Sequence, residues 1–338
     1  MSVVIRKLAC LLVWAVLAVR AVAGAPDAVV VYTSVDQVFS EPVLEEFQRR
    51  TGVRVDAVYD AEAVKTVGLA TRLAAEKARP RADVFWSGEV LQSIHLAREG
   101  LFDAYRPPSA DGIPAAFRDP ADRWVGFACR ARVLLVNRKL VPRDRWPHHV
   151  QELVSGPWEP GQVGLANPLF GTTSTHVAAL YATLGPARAA ALLRAFRARA
   201  RVTDGNAMVR DLVVSGQLVA GLTDTDDALG AVQRGADVEL IVPDQAEGES
   251  GALLIPNTVA LVHGAPHPEP ARVLIDYLAS APVEARLIAA GAAQLAVRPG
   301  VPAPVPALAN VKALRVSFDA AADALPRSIA DVREYLLR

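Results

Sequence analysis

Three short apolar runs separated by two amphipathic stretches, all within sixty residues, set the strongest constraint on how this 338-residue chain can fold. Val29-Val-Val-Tyr32 is a β-branched run bounded by polar residues, the signature of a strand. Pro42 to Arg50 carries helical periodicity, and Gly52 stands where a helix C-terminus takes glycine. Val53 to Val58 alternates as a second strand, Lys65 to Lys77 is a second amphipathic helix, and Ala82 to Trp86 a third strand. That alternation implies an α/β fold with a parallel sheet. Ligands of such sheets gather beyond the strands' C-terminal ends, so the residues just after each strand are read for function.

The N-terminus reads as a leader. Arg6-Lys7 precede an apolar stretch from Leu8 to Val19, and Ala21-Val-Ala23 offers a small-x-small cleavage signal after Ala23. The stretch is short for a membrane span of ~20 residues, and Arg20 interrupts its end. Residues 1–23 are therefore expected to be a cleavable signal peptide, which marks the mature chain for export. The mature chain keeps one cysteine, Cys129, which cannot form an internal disulfide. Its stability has to come from packing, and ~315 residues suffice for two domains. The full chain has 36 basic and 36 acidic residues; losing Arg6, Lys7 and Arg20 with the leader leaves it slightly acidic. A nucleic-acid partner, which needs a basic face, is not expected.

Further strands are expected at Arg132–Asn137, Gln162–Ala166 and Gln217–Leu222, and a strand-like run at Leu253–Val262 contains Pro256. Helices are expected at Thr175–Leu184, Ala187–Ala200, Met208–Val214, Ala228 onward, Pro270–Leu278 and Pro282–Ala289. A proline-dense strap at Pro299–Pro306 leads to a C-terminal helix near Arg327–Leu337.

Thr223-Asp-Thr-Asp-Asp227 packs three carboxylates and two hydroxyls directly after an apolar run, where an α/β cleft opens. Helix capping is the plain alternative, although one residue suffices for a cap. Gly171, Thr172, Thr173 and Ser174 surround another helix N-terminus, where free N–H groups and the dipole favour anions and the hydroxyls add donors. Asn206 stands at a third turn-to-helix entry. Thr33-Ser34-Val-Asp36 follows the first strand, and Trp86-Ser87-Gly-Glu89 the third. Trp86 can stack on a ligand or fill the core. Arg130 and Arg132 share one face of a strand, as an oxyanion clamp or a structural ion pair.

Enzyme signatures are missing. Ser174 and His176 lack a nucleophile-elbow context, and no dinucleotide fingerprint, phosphate-binding loop or His-Glu-x-x-His occurs. Asp224-x-Asp226 resembles the metal-binding pair of nucleotide-sugar transferases, whose substrates an exported chain would not meet. An exported metal-dependent enzyme is the third reading. His148-His149 reads as a solvated loop rather than a metal site.

Val29 to Phe47, Thr51-Gly-Val-Arg-Val, Ala82 to Trp86, Arg130 to Asn137, Asn206-Ala-Met-Val-Arg, Ile255-Pro-Asn-Thr-Val-Ala and the proline-rich tail together resemble the periplasmic solute-binding proteins of bacterial ABC importers, in their ferric-iron branch. The resemblance implies two α/β lobes, each a mainly parallel sheet flanked by helices, joined by two crossing strands that act as a hinge. It puts 27–129 with 252–300 in one lobe and 130–251 with 301–338 in the other. It also implies a monomer without a cofactor that traps its cargo, Fe(III) with a synergistic anion, and docks on a membrane permease. The family's anion-binding helix start maps onto Thr172, Thr173 and Ser174, and a supporting asparagine onto Asn206. Its paired tyrosines map onto Thr225 and Asp226, its histidine onto Asp36, and its glutamate lies within one position of Glu89. None of the six tyrosines here adjoins another. Two cargoes remain open. One is Fe(III) or another cation on Asp36, Glu89, Asp224 and Asp226, a hard-oxygen set. The other is a polar organic anion, held by Thr172–Ser174 with Arg130 or Arg132 and by Ser34, Asp36, Trp86, Ser87, Glu89, Asn206 and Thr223–Asp226.

Overall fold

The computed structural model describes residues 28–60, 67–302, 305 and 308–338. The expected signal peptide lies outside them, as does part of the proline-dense strap. The first lobe starts with β1 (Ala28–Thr33), α1 (Gln37–Thr51), β2 (Arg54–Tyr59), α2 (Val67–Ala75) and β3 (Val84–Ser87). The order β2-β1-β3 is parallel throughout. All four residues of β3 are buried, as a strand covered on both faces requires. Helix α3 (Leu91–Arg98) and the short β4 (Phe102–Asp103) follow.

β5 (Val125–Asn137) is thirteen residues long and joins the lobes. Of its residues only Arg130 is not fully buried. The sequence reading caught the second half, Arg132–Asn137, and missed the first, whose Gly126 and small Ala128 weaken the strand pattern. The second lobe continues with α4 (Glu152–Ser155), β6 (Val163–Ala166), α5 (Gly171–Leu184), α6 (Pro186–Arg199), β7 (Ala200–Thr203), α7 (Asn206–Val214), β8 (Ala220–Asp224), α8 (Thr225–Gln233) and β9 (Val238–Ile241). Here β7, β6 and β8 run parallel. The chain then returns as β10 (Leu254–Val262), α9 (Pro268–Leu278) and α10 (Ala281–Ala289).

β10 lies antiparallel between β3 and the first half of β5, with Leu254 opposite Ala131. From Arg132 onward β5 leaves β10 and pairs antiparallel with β8 and β9. Each sheet is thus parallel in its body and antiparallel at the strand it shares. One apolar cluster follows β5 from lobe to lobe, and two others fill the outer faces. Pro256 is tolerated in β10 because a register shift falls at Pro256/Asn257, as bulges allow. Cys129 is fully buried inside β5, and burial pushes its thiol pKa well up.

The last helix, α11 (Phe318–Tyr335), begins nine residues before the expected Arg327, with Pro326 inside it. It touches both lobes: Arg98 of α3 reaches Asp319 and Asp323, while Tyr181 of α5 donates to Asp331 at 2.7 Å. The tail expected to belong to the second lobe therefore straddles the two.

Candidate ligand cleft

The turns after β1, β3, β6, β7 and β8 open on one cavity of about 120 Å³. Its walls are Ser34 and Asp36, Gly88 and Glu89, Ala166, Asn167 and Phe170–Thr173, Asp204–Ala207, and Asp224, Asp226 and Asp227, with Arg130 of β5 between the sheets. Both lobes thus present strand C-terminal ends to the same space, where α/β ligands bind.

Four helices start there without a side-chain cap: α1 behind Asp36, α5 behind Phe170, α7 behind Gly205 and α8 behind Asp224. Their first N–H groups lack intrahelical partners, and each helix start is equivalent to about half a positive charge. Gly171 opens α5 at φ +54°, a left-handed conformation that favours glycine. The fifth entry differs, because Glu89 caps α3 by accepting from the N–H groups of Leu91 and Gln92, both at 2.8 Å.

Asp224 is the hub of the polar wall. It accepts from Arg132 Nη1 at 2.6 Å, Thr172 Oγ1 at 2.6 Å and Asn206 Nδ2 at 3.0 Å. Arg132 Nη1 also donates to Thr172 Oγ1 and Asn206 Oδ1. Arg130 spans the lobes, donating to Gly88 O at 2.6 Å on one side and to Asp226 Oδ2 at 3.3 Å on the other. Thr175 of α5 makes a second crossing, donating to Glu89 Oε2 at 2.8 Å.

Burial and pairing pull these acids apart. Burial alone raises Asp224, but the adjacent Arg132 and Arg130 and the hydrogen bonds from Thr172 and Arg132 hold it below the usual carboxylate range. Burial raises Glu89, and it raises Asp226 against the pull of Arg130. Asp227, buried beside Asp226 and Asp224, is pushed up to about 7 even though Arg210 pairs with it at 2.8 Å. His176 sits behind the wall, and burial with Arg132 nearby lowers it to about 3, so it stays neutral.

Of the residues expected from sequence, Ser34, Asp36, Glu89, Arg130, Thr172, Thr173, Asn206, Asp224 and Asp226 line the cavity. Others do not. Trp86 and Ser87 have no exposed surface: the indole packs 6.2 Å from Phe127, and the Ser87 hydroxyl donates to Glu89 O. Period-two alternation cannot tell a strand end from a strand interior, and the strand here runs through Ser87. Thr223 is the penultimate residue of β8 and donates to Asn206 O; Thr225 donates to Gln294 Oε1 and accepts from Ala131 N. Arg132 is fully buried behind Asp224, a structural ion pair rather than an exposed clamp. Ser174 faces an adjoining cavity.

The four-carboxylate cation site is not assembled either. The oxygens of Glu89 serve the start of α3 and Thr175, and those of Asp224 serve Arg132, Thr172 and Asn206. Among the described residues, carboxylate and imidazole atoms converge closely only at His149, Asp244 and Glu249, away from the cleft. There His149 Nδ1 lies 2.8 Å from Asp244, so the expected solvated loop carries an ion pair. Asp204, Gly205 and Asp227 also line the cavity and were not among the expected residues, although all three stand within three residues of the end of β7 or β8.

Such a cleft between two α/β lobes, lined by loops and built for a small polar molecule, defines a solute receptor. Residues 80–321 match the bacterial extracellular solute-binding proteins, and the chain belongs to that family. It is a binding protein and not an enzyme. Among curated proteins it is 26% identical over 303 residues to a putative 2-aminoethylphosphonate-binding periplasmic protein of Salmonella typhimurium, covering 81% of each chain. It is likewise 26% identical over 255 residues to iron uptake protein A1 of Synechocystis, covering 72% of this chain and 68% of that one. Among solved structures, iron-bound HitA of Pseudomonas aeruginosa superposes with a TM-score of 0.80 at 20% identity, covering 92% of this chain and 99% of that one. AfuA of Actinobacillus pleuropneumoniae with fructose-6-phosphate does so at 0.79 and 19%, covering 93% and 99%. The two-lobe fold is that of these proteins.

Proposed function

We propose that the protein is the periplasmic receptor of an ABC importer and that it captures a small organic solute bearing a phosphonate or phosphate group, which it hands to a membrane permease. The observation that carries this reading is the meeting of four uncapped helix starts in one cavity. The six acids on the cavity walls, Asp36, Glu89, Asp204, Asp224, Asp226 and Asp227, outnumber Arg130, Arg132 and Arg210 by three. Four helix starts offset roughly two of these charges, and burial raises Glu89, Asp226 and Asp227 toward the neutral form. An oxyanion is therefore received by the N–H groups of the helix starts and not by the net charge of the walls. Thr173, whose hydroxyl makes only a 3.4 Å contact with Asn206, adds a side-chain donor to those N–H groups, whereas the Thr172 hydroxyl and the Asn206 amide are spent on Asp224. Asp36 and Asp226 face the part of the solute that carries an amine or hydroxyls.

Two relatives speak for this cargo: the putative 2-aminoethylphosphonate-binding protein and the fructose-6-phosphate-bound AfuA. Iron is the cargo of other relatives. Against iron here, none of the six tyrosines lines the cavity, so no phenolate is at hand to hold Fe(III). The test is native mass spectrometry with metal analysis on protein purified from its own periplasm. An organophosphorus ligand supports the proposal; stoichiometric iron overturns it. Added ligand at 100 times Kd should stabilise the fold by about 2.7 kcal/mol in thermal unfolding.

A further inference from the structure

Beside the polar cavity lies a second one of about 190 Å³, and the two share Glu89, Phe170 and Gly171 as walls. The second is of opposite character. Leu91 from the start of α3, Leu169 from the turn after β6, and Leu325 and Ile329 from α11 give it branched aliphatic sides. Polar groups stand around these aliphatic walls, among them Gln92 and Arg333. The partition between the cavities is thin at Gly171, where a Cβ would find nothing within 4 Å. The start of α5 therefore meets the polar space on one side and the apolar space on the other.

We propose that the apolar cavity is a subsite for the organic substituent of the solute whose phosphoryl group sits on the α5 helix start. This inference rests on the cargo class proposed above and narrows it: the solute is a phosphonate or phosphate ester with an apolar segment several carbons long, not inorganic phosphate. The occupant is the solute itself because the two cavities adjoin at Glu89, Phe170 and Gly171, and Val67 of α2 adds a fourth stretch of chain to the lining of the second. Burying aliphatic carbon there removes apolar surface on both sides from water. Ile329 and Leu325 are then specificity-determining residues contributed by the helix that straddles the lobes.

The experiment is a calorimetric titration of the mature protein with methyl-, ethyl-, propyl- and butylphosphonate. Affinity should rise roughly fourfold per added methylene, at least tenfold across the series. Ile329→Asn and Leu325→Gln should each flatten that slope, read as the ratio of butyl- to methylphosphonate affinity. Should either variant fold poorly, the wild-type series still decides. A series that binds but shows flat or falling affinity overturns the subsite and leaves the anion reading standing. If no phosphonate binds at all, the anion reading fails and the subsite fails with it.

Discussion

Arg132 donates to Asp224 across 2.6 Å with at most 1% of either side chain exposed. The pair fixes the polar wall from behind, because Thr172 and Asn206 are hydrogen-bonded to the same two groups. Arg132 spends only Nη1 on these bonds; Nε and Nη2 have no partner among the described residues.

Breaking that pair should be expensive. Arg132→Met leaves Asp224 buried with less compensation, a loss of ~3–5 kcal/mol by the usual cost of stranding a buried charge. Urea unfolding at pH 7 measures it. A change below about 1 kcal/mol would mean that Arg130, 3.7 Å from Asp224, already satisfies the carboxylate.

Gly171→Ala should weaken phosphonate binding while only modestly affecting the fold. A side chain at φ +54° costs ~1–2 kcal/mol, and no atom crowds the new methyl group, so the effect is local to the start of α5. Titration of methylphosphonate against the variant reads the affinity loss. Unchanged affinity would remove α5 from the anion site.

Asp227 and His176 should pull stability in opposite directions between about pH 4 and 7. Asp227, pushed up to about 7 by burial, binds more protons in the native state there, so its contribution falls as pH rises. Glu89, also raised by burial, adds in the same direction. His176, lowered to about 3, binds fewer protons when folded, so its contribution rises. The melting temperature of Asp227→Asn relative to the wild type, both ligand-free, should therefore increase with pH over that range. A difference that does not change with pH contradicts the assignment.

Addition of ferric citrate should give no visible charge-transfer band. Tyr32 is engaged with Glu76 and Tyr181 with Asp331, and no other tyrosine reaches the cavity. Absorption spectroscopy of the loaded protein checks this, and a coloured complex would contradict the cavity described above.

Tyr181→Phe should destabilise the fold by ~1.5–3 kcal/mol, since it removes a hydrogen bond to a buried carboxylate. Removing Arg98, whose partners Asp319 and Asp323 are exposed, should cost no more than about 1 kcal/mol. Chemical unfolding of both variants compares the two anchors of α11.

The alternation of the first sixty described residues was legible because β1 and β3 are apolar runs, β2 alternates, and each helix has a polar face. Helix α11 was half hidden by Pro326, which ordinarily ends a helix. The cleft was legible wherever function depends on position after a strand: Ser34, Asp36, Thr172, Asn206 and Asp224 all emerged from that rule. It failed at Trp86 and Thr225, where the strand continues one residue further or a hydroxyl turns toward a neighbouring strand. Nothing in residue order alone says that Arg132 lies behind Asp224 and Arg130 in front of it. Arg130 lies in the stretch of β5 that pairs with β10, and Arg132 in the stretch that pairs with β8.

β5 leaves one sheet for the other between Ala131 and Arg132, the very stretch that carries both guanidinium groups. A rotation of one lobe against the other therefore turns about the residues that hold the charge in the cleft. Arg130 cannot keep both Gly88 and Asp226 once the lobes separate. The link between the lobes at Arg130 thus lies one residue from the point where the strand changes sheets.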